Sequence, residues 1–562
     1  MKNSLYKKGV VFGIVILFIG MSITSSSGIN LVKQSTKAIL DGNILYVGGS
    51  GPGNYSNIQD ALDDAVDNDT VFVFDDSSPY YKNLIISNSI SLIGEDRDTT
   101  IIDGSGIGKV VDIKENYATI NGFTIQNSGP EKNDAGIIMN THYSKVINNN
   151  IKNNKNIGIL FNANNNLVSQ NDISFNVGAG IKFHEETYYN TISNNNIGNN
   201  ERQGLVFMRS HYNTITQNNI HDNKLFGVDI LYSSTGNYFS ENDIVSNALD
   251  GILLFLATNH TIYNNNILNN GETGVMIQSD GGKNHSILNN NICSNREGIL
   301  IDSAPTIADH HLIKNNKISE NTNEGLSIYG TNNYIIGNEF SRNGIGLTFS
   351  GACEDNIISD NEFFNDGMFI PLYSGGYSNV YSNNMVNGKP LVILEGETNL
   401  VFDDEVGQLI LINCNEITIR NLDISNTSVG IQMAPSNNCR IENNKFNDNS
   451  NYGVYMIGSN NEIFKNEFRE NSCGLYWQGV SNTVEQNNFI DNNRDARFRI
   501  NHGNVYSTKW VSNYWNRPRI FMKSISGVKD FKYTNYLGYE RIISFPWIGF
   551  DWSPAKSPYT IL

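Results

Sequence analysis

The chain has 562 residues, a formal net charge of −17 at pH 7 and a sequence pI of about 5.0. Acidity without basic clusters makes the chain a poor candidate for binding nucleic acid or an anionic membrane, and no nucleic-acid partner is expected. The five cysteines, Cys293, Cys353, Cys414, Cys439 and Cys473, are too scattered for a disulfide framework or a C-x-x-C zinc site.

At the N-terminus Lys2, Lys7 and Lys8 precede the apolar run GVVFGIVILFIGMSI, Gly9 to Ile23, and the small residues TSSSG. The run falls short of the ~20 apolar residues of a membrane span. Residues 1–28 are therefore expected to be a signal peptide, with an uncleaved anchor as the alternative. No later stretch is apolar enough to span a bilayer. The mature protein is expected to be secreted or held at the cell surface, outside the cytoplasm, with no membrane span after signal removal.

Residues 44–125 are expected to form an N-terminal cap and the first coils of a solenoid. In YSNIQDALDDAVDNDTVFVF, Tyr55 to Phe74, Ser56 or Asn57 caps a short amphipathic helix whose Ile58, Ala61, Leu62 and Ala65 share one face. Such a helix would cover the open end of a stack, where bare strand edges invite aggregation.

From 126 to 385 the sequence repeats. The apolar residue closing each N-x-apolar triplet falls at Ile151, Ile173, Ile197, Ile220, Ile244, Ile267, Ile292, Ile318, Phe340, Phe363 and Met385, in steps of 22 to 26 residues. A second apolar position lies five residues earlier, and a glycine six or seven residues later opens an alternating run such as GLVF. Each unit thus carries three short strands of period 2 and no helical segment. A unit this small buries its apolar face only against its neighbours. The fold class that follows is all-β: a right-handed parallel β-helix with three strands per coil and about eighteen coils at this repeat length. The asparagine two before each closing residue, from Asn149 and Asn171 through Asn218 to Asn383, is expected to make the left-handed bend between strands and to ladder with its copies above and below.

Residues 386–424 are strand-like but poor in asparagine, and are expected to be one or two coils of different profile within the same solenoid. The repeat resumes over 425–505, with Phe446, Phe468 and Phe489 as closing residues. The last segment, 506–562, is expected to cap the C-terminal end with Tyr514, Trp515, Phe521, Trp547, Phe550 and Trp552.

Three constellations could carry a function. In the strand after each glycine, alternation predicts which residues point outward. Two outward columns bring together Val206, Met208, Asp229, Leu231, Leu253, Phe255, Met276, Leu300, Asp302 and Tyr329, more apolar than a solvated sheet face and therefore a candidate ligand-binding face. Among carboxylates, Glu297 and Glu324 precede the glycine in neighbouring coils and offer the best approach to the ~5 Å separation of a retaining glycosidase pair. Finally, His260, His285 and His311 replace asparagine in three consecutive coils, and imidazole suits copper or zinc.

The capping helix followed by DTVFVF, the segment LIGEDRDTTIIDG, the repeated G-I-x-L and N-N-x-I units, VNGKPLVILEG, GQLILINCNEITIRNLDISNTSVGI and the late NYW together resemble the pectin-lyase-like right-handed β-helices. More closely they resemble the NosD-like family, grouped with carbohydrate-binding proteins and sugar hydrolases, over roughly residues 44–515. The resemblance implies an extended ligand, a polysaccharide or surface glycan, bound without demonstrated catalysis. Two alternatives stay open: a polysaccharide lyase, hydrolase or epimerase, and copper handling of the NosD kind. The binding reading requires no cofactor.

Overall fold

Short apolar-alternating runs broken by turn-formers are satisfied only when each strand stacks on its own copy, and the chain winds into a parallel β-solenoid of about 20 turns. The structure is a computed structural model that describes residues 42–561 apart from 280–281, 304–308, 352, 372–377, 503–507 and 535–538. The expected signal peptide lies outside the described residues.

Each coil supplies three sheets. Thr191–Ser193 joins a 15-stranded sheet, Asn196–Gly198 a second, and Leu205–Met208 a 13-stranded one. Like pairs with like across coils: Ile192 with Ile215, Ile197 with Ile220, Phe207 with Ile230. All six side chains are fully buried. Phe161, Phe183 and Phe207 stack inside at centroid spacings of 4.7 and 4.3 Å. The glycine that opens each run has no room for a side chain: a Cβ on Gly227 would lie 2.7 Å from both the Gly251 carbonyl oxygen and Ile244 Cγ2. The cap is as expected. Asn57 accepts from the Gln59 amide at 3.0 Å, and Ile58, Ala61 and Leu62 of the helix Ile58–Asp64 are buried.

The asparagine ladders are present, with a correction to how they work. The left-handed conformation belongs to the residue before each ladder asparagine, such as Asn194 at φ 56°, Gln217 at φ 56° and Glu241 at φ 55°. That preceding bend turns the next side chain inward, where Asn195 donates Nδ2 to Asn218 Oδ1 at 2.9 Å and to the Val168 carbonyl at 2.9 Å. A further ladder, not anticipated, runs from Asn154 through Asn200 and Asn223 to Asn343, each amide bonded to the next. It ends on Asp366, which accepts from Asn343 Nδ2 at 2.7 Å and whose carboxyl burial pushes up to about 7.

At Met385 the expected register is wrong by one. Met385 pairs with Glu362 and Val386 with Phe363, so the buried closing residue is Val386 and the ladder residue is Asn384 rather than Asn383. Two adjacent asparagines allow either phase, and a one-residue slip exchanges the two faces of a strand.

The zone after Met385 is a seam rather than variant coils in one continuous stack. Met385–Val386 turns back antiparallel onto Lys389–Glu395, which then pairs with Gln408–Ile412 as a fresh start. Leu409 and Leu411 face a second core while Ile410 and Ile412 complete the first. Buried on both faces, this strand is the wall between two cores. Gln408 and Gln432 seal the joint. Each side-chain amide bonds the backbone of the adjacent first-section strand, Gln408 at Met368 and Gln432 at Ile370, as a neighbouring strand would.

The aromatic tail caps only in part. Trp515 is buried, stacks on Phe489 at 4.5 Å and donates to Asp551 at 3.1 Å. Phe521 and Trp552 are 82% and 71% exposed beside a long hairpin, Lys523–Thr534 with Glu540–Asp551.

Candidate functional site

The outward columns expected from alternation are held in register. Lys182, Val206, Asp229, Leu253, Met276, Leu300 and Ser327 follow one another on the outer face of the 13-stranded sheet. Met208 stands next to Leu231, Phe255 next to Gln278, and Asp302 next to Tyr329. Met208, Leu231, Leu253, Phe255, Met276, Leu300 and Tyr329 are half-buried, and Asp302 is exposed. Val206 and Asp229 are buried although they point outward.

Val206 lines a cleft of about 400 Å³ at the N-terminal end of this strip. Its walls combine Val206, Met208 and Leu231 with Lys132, Lys182 and Arg202. The cations arrive from three different coils. Lys182 is on a strand and the other two are in the loops that lead into the glycines. Among the described residues, none of the three lies within ion-pair distance of a carboxylate. Burial lowers the Lys182 pKa, and the charges of Lys132 and Arg202 lower it further. A cluster of unpaired cations repels itself and is relieved by an anion.

Asp229 does not line this cleft but stands behind it, next to Val206 on the neighbouring strand. Its Oδ2 accepts from Gln203 Nε2 at 2.8 Å, Gln203 itself lining the cleft, and its Oδ1 has no hydrogen-bond partner. Burial raises the carboxyl to about 6, only partly offset by Gln203. Glu297 and Glu324 are brought to equivalent positions of adjacent strands, two residues before the paired Ile299 and Leu326. Burial and then the charge of Glu324 raise the Glu297 pKa. They stand three and four coils beyond the Asp229 coil, outside the cleft lining.

His260, His285 and His311 do come together, as rungs of an asparagine-type ladder. Their rings stack at 5.4 and 5.0 Å, and all three are fully buried. Each Nδ1 accepts a backbone amide of the coil below: Asn237 at 3.0 Å, His260 at 3.2 Å and His285 at 3.2 Å. Accepting at Nδ1 places the proton on Nε2, which in His260 faces the Ser234 carbonyl at 3.1 Å. With one nitrogen engaged by an amide and the other protonated, copper or zinc does not fit this donor set. No other group of three or more His, Cys, Asp or Glu side chains among the described residues is placed to hold a metal.

Comparison with known proteins matches the description "Right handed beta helix region" over residues 54–244, 183–308 and 408–514. "Periplasmic copper-binding protein (NosD)" matches residues 306–393, the stretch running into the seam. No curated protein matches. Among solved structures, the PL6 family alginate lyase AlyGC is 12% identical, with 81% of this chain and 91% of that chain covered at a TM-score of 0.43. The A-module of mannuronan C-5 epimerase AlgE6 from Azotobacter vinelandii is 16% identical, with 58% and 94% covered and a TM-score of 0.38. The Dettilon tailspike protein is 14% identical, with 60% and 68% covered and a TM-score of 0.41.

Proposed function

The chain belongs to the right-handed β-helix family, and from that premise we propose that it binds an acidic polysaccharide outside the cytoplasm, along the outer face of its 13-stranded sheet. The observation that carries this reading is the cleft. In a chain of net charge −17, three unpaired cations converge on one groove that also carries the buried Val206 and the half-buried Met208 and Leu231. Carboxylates of a uronate chain would neutralise Lys132, Lys182 and Arg202, while its sugar faces rest on Val206, Met208 and Leu231. The extracytoplasmic placement is supported by the lysine-flanked apolar run at the N-terminus.

Isothermal titration with hexamers of mannuronate and galacturonate tests the reading. The double variant Lys182→Ala/Arg202→Ala is expected to bind at least tenfold more weakly, about 1.4 kcal/mol, and wild-type affinity is expected to fall with added salt. Equal affinity in the double variant would overturn the assignment.

Asp229 favours a second reading, chemistry on the bound chain. A carboxyl raised to about 6 and bonded to the cleft-lining Gln203, its other oxygen buried and without a partner, has a pKa suited to proton transfer near neutral pH. If wild type releases unsaturated or reducing ends from a polyuronate, Asp229→Asn is expected to lower that rate at least a hundredfold. The pH dependence below neutrality should vanish with it. An intact polymer after prolonged incubation leaves binding alone.

A further inference from the structure

The turn between the 13- and 15-stranded sheets carries two adjacent columns that align from coil to coil. One reads Tyr117, Tyr143, Asn165, Tyr189, Tyr212, each two residues before strand residues that pair directly. Every member is left-handed, with φ of 62°, 61°, 60°, 56° and 53° in that order. Asparagine is at home in this conformation and tyrosine is not, yet four of five coils place a tyrosine here. The rings form two stacks: Tyr117 on Tyr143 at 5.3 Å and 10°, and Tyr189 on Tyr212 at 5.6 Å and 15°. Between them the ring is missing, and the Asn165 amide is exposed.

The neighbouring column is interrupted at the same coil. His142 stands before Asn164, and Tyr188, stacked on His211 at 5.0 Å, stands after it. The coil of Asn164 and Asn165 is thus a notch two positions wide with aromatic walls. Tyr143 and Tyr189 are two coils apart, roughly 10 Å at the strand spacing, enough to admit one ring between their free faces. Tyr143 and Tyr189 are 49% and 59% exposed, so the notch is open to solvent.

We infer that this notch is a sugar-binding subsite, in which one pyranose ring lies between Tyr143 and Tyr189 with its hydroxyls on the Asn165 amide. Pyranoses present C–H faces to aromatic rings and hydroxyls at their edges, which matches aromatic walls and an amide floor. The inference rests on the polysaccharide reading above and names a second place on the same chain of sugars. Leu160, the cross-strand neighbour of Lys182, precedes Asn165 by five residues on one coil. Asn165 is thus at most about 16 Å along the coil from Leu160, and Lys182 is one strand spacing of about 4.8 Å from Leu160, so one ligand can reach both.

The test fills the notch. Asn165→Tyr completes the aromatic column, so its folding and thermal midpoint should be kept or raised, while binding of mannuronate and galacturonate hexamers falls at least tenfold. Tyr143→Ala/Tyr189→Ala, which removes both walls, is expected to lose a similar factor. If both variants bind like wild type while Lys182→Ala/Arg202→Ala does not, the notch is overturned and the acidic-polysaccharide reading stands. If a neutral hexamer such as cellohexaose binds, is lost in Asn165→Tyr and is indifferent to the cleft variant, the notch stands and the acidic reading falls. No hexamer bound by wild type overturns both.

Discussion

Acidification from pH 7 to pH 5 is expected to loosen the coils around residues 260–311 well before the rest of the solenoid. His260 and His311 are held down to about 4 and about 3, chiefly by burial, and His285 is lowered well below the ordinary value by burial and then by its two neighbours in the stack. Because these folded pKa values lie below the unfolded value of 6.5, the unfolded chain binds more protons throughout the interval between them. The stability they contribute is complete above pH 6.5 and is lost as the pH falls towards the folded values. From pH 7 to 5 the loss is about 2 kcal/mol for each of His260 and His311, with His285 adding in the same direction. The buried Asp366 works the other way, since its raised carboxyl costs stability as the pH rises from 3.8 towards 7. A local readout is therefore needed. Amide hydrogen exchange of peptides spanning 258–318 should accelerate between pH 7 and 5 after correction for intrinsic rates. The triple variant His260→Asn/His285→Asn/His311→Asn, which restores the ladder's usual residue, should abolish that acceleration. An undiminished pH response in the triple variant would show that the imidazoles are not its origin.

Asn218→Ala is expected to be among the most damaging single changes in the protein, costing about 3–5 kcal/mol. The side chain is 2% exposed and serves two neighbours at once. It accepts from the Asn195 amide at 3.0 Å and Asn195 Nδ2 at 2.9 Å, and donates to Asn242 Oδ1 at 3.0 Å and to the Ile192 and Thr216 carbonyls at 2.9 and 3.0 Å. Alanine leaves all of those buried partners short of a bond, and each orphaned group carries its own desolvation cost. Asn219→Ala is the control one residue along. Its exposed amide bonds Asn196 Oδ1 at 2.9 Å, and its loss should stay within about 0.5 kcal/mol. Urea unfolding followed by circular dichroism separates the two. Equal midpoints would mean that the ladders follow the fold rather than stabilise it.

The unequal legibility of the molecule has a common cause. Strand stacking was readable because every coil repeats the same pairing, so a period of 22 to 26 residues with apolar residues in step implies parallel register. That reasoning placed Ile197 beside Ile220 and put Val206, Asp229 and Leu253 in one outward column. The same reasoning failed where the pattern admits two phases, at Asn383 and Asn384. It also missed the ladder from Asn154 to Asn343, although an asparagine three residues after each closing apolar residue was there to be seen. Burial misled in the other direction. Alternation puts Asp229 on the outer face, yet it is buried, with Gln203 of the preceding coil bonded to it.

By itself the sequence determined the coil, its three strands, its internal ladders and its N-terminal cap, since each follows from periodicity and local turn chemistry. The tertiary structure alone decided the seam, where Gln408 and Gln432 stand in for a missing strand, and the sites. Lys132, Lys182 and Arg202 are 50 and 20 residues apart and form no motif. They meet because loops of different coils fold over one sheet face. The tyrosine notch likewise exists only because stacking brings residues 143, 165 and 189 into line, where one missing ring becomes a gap between two aromatic walls.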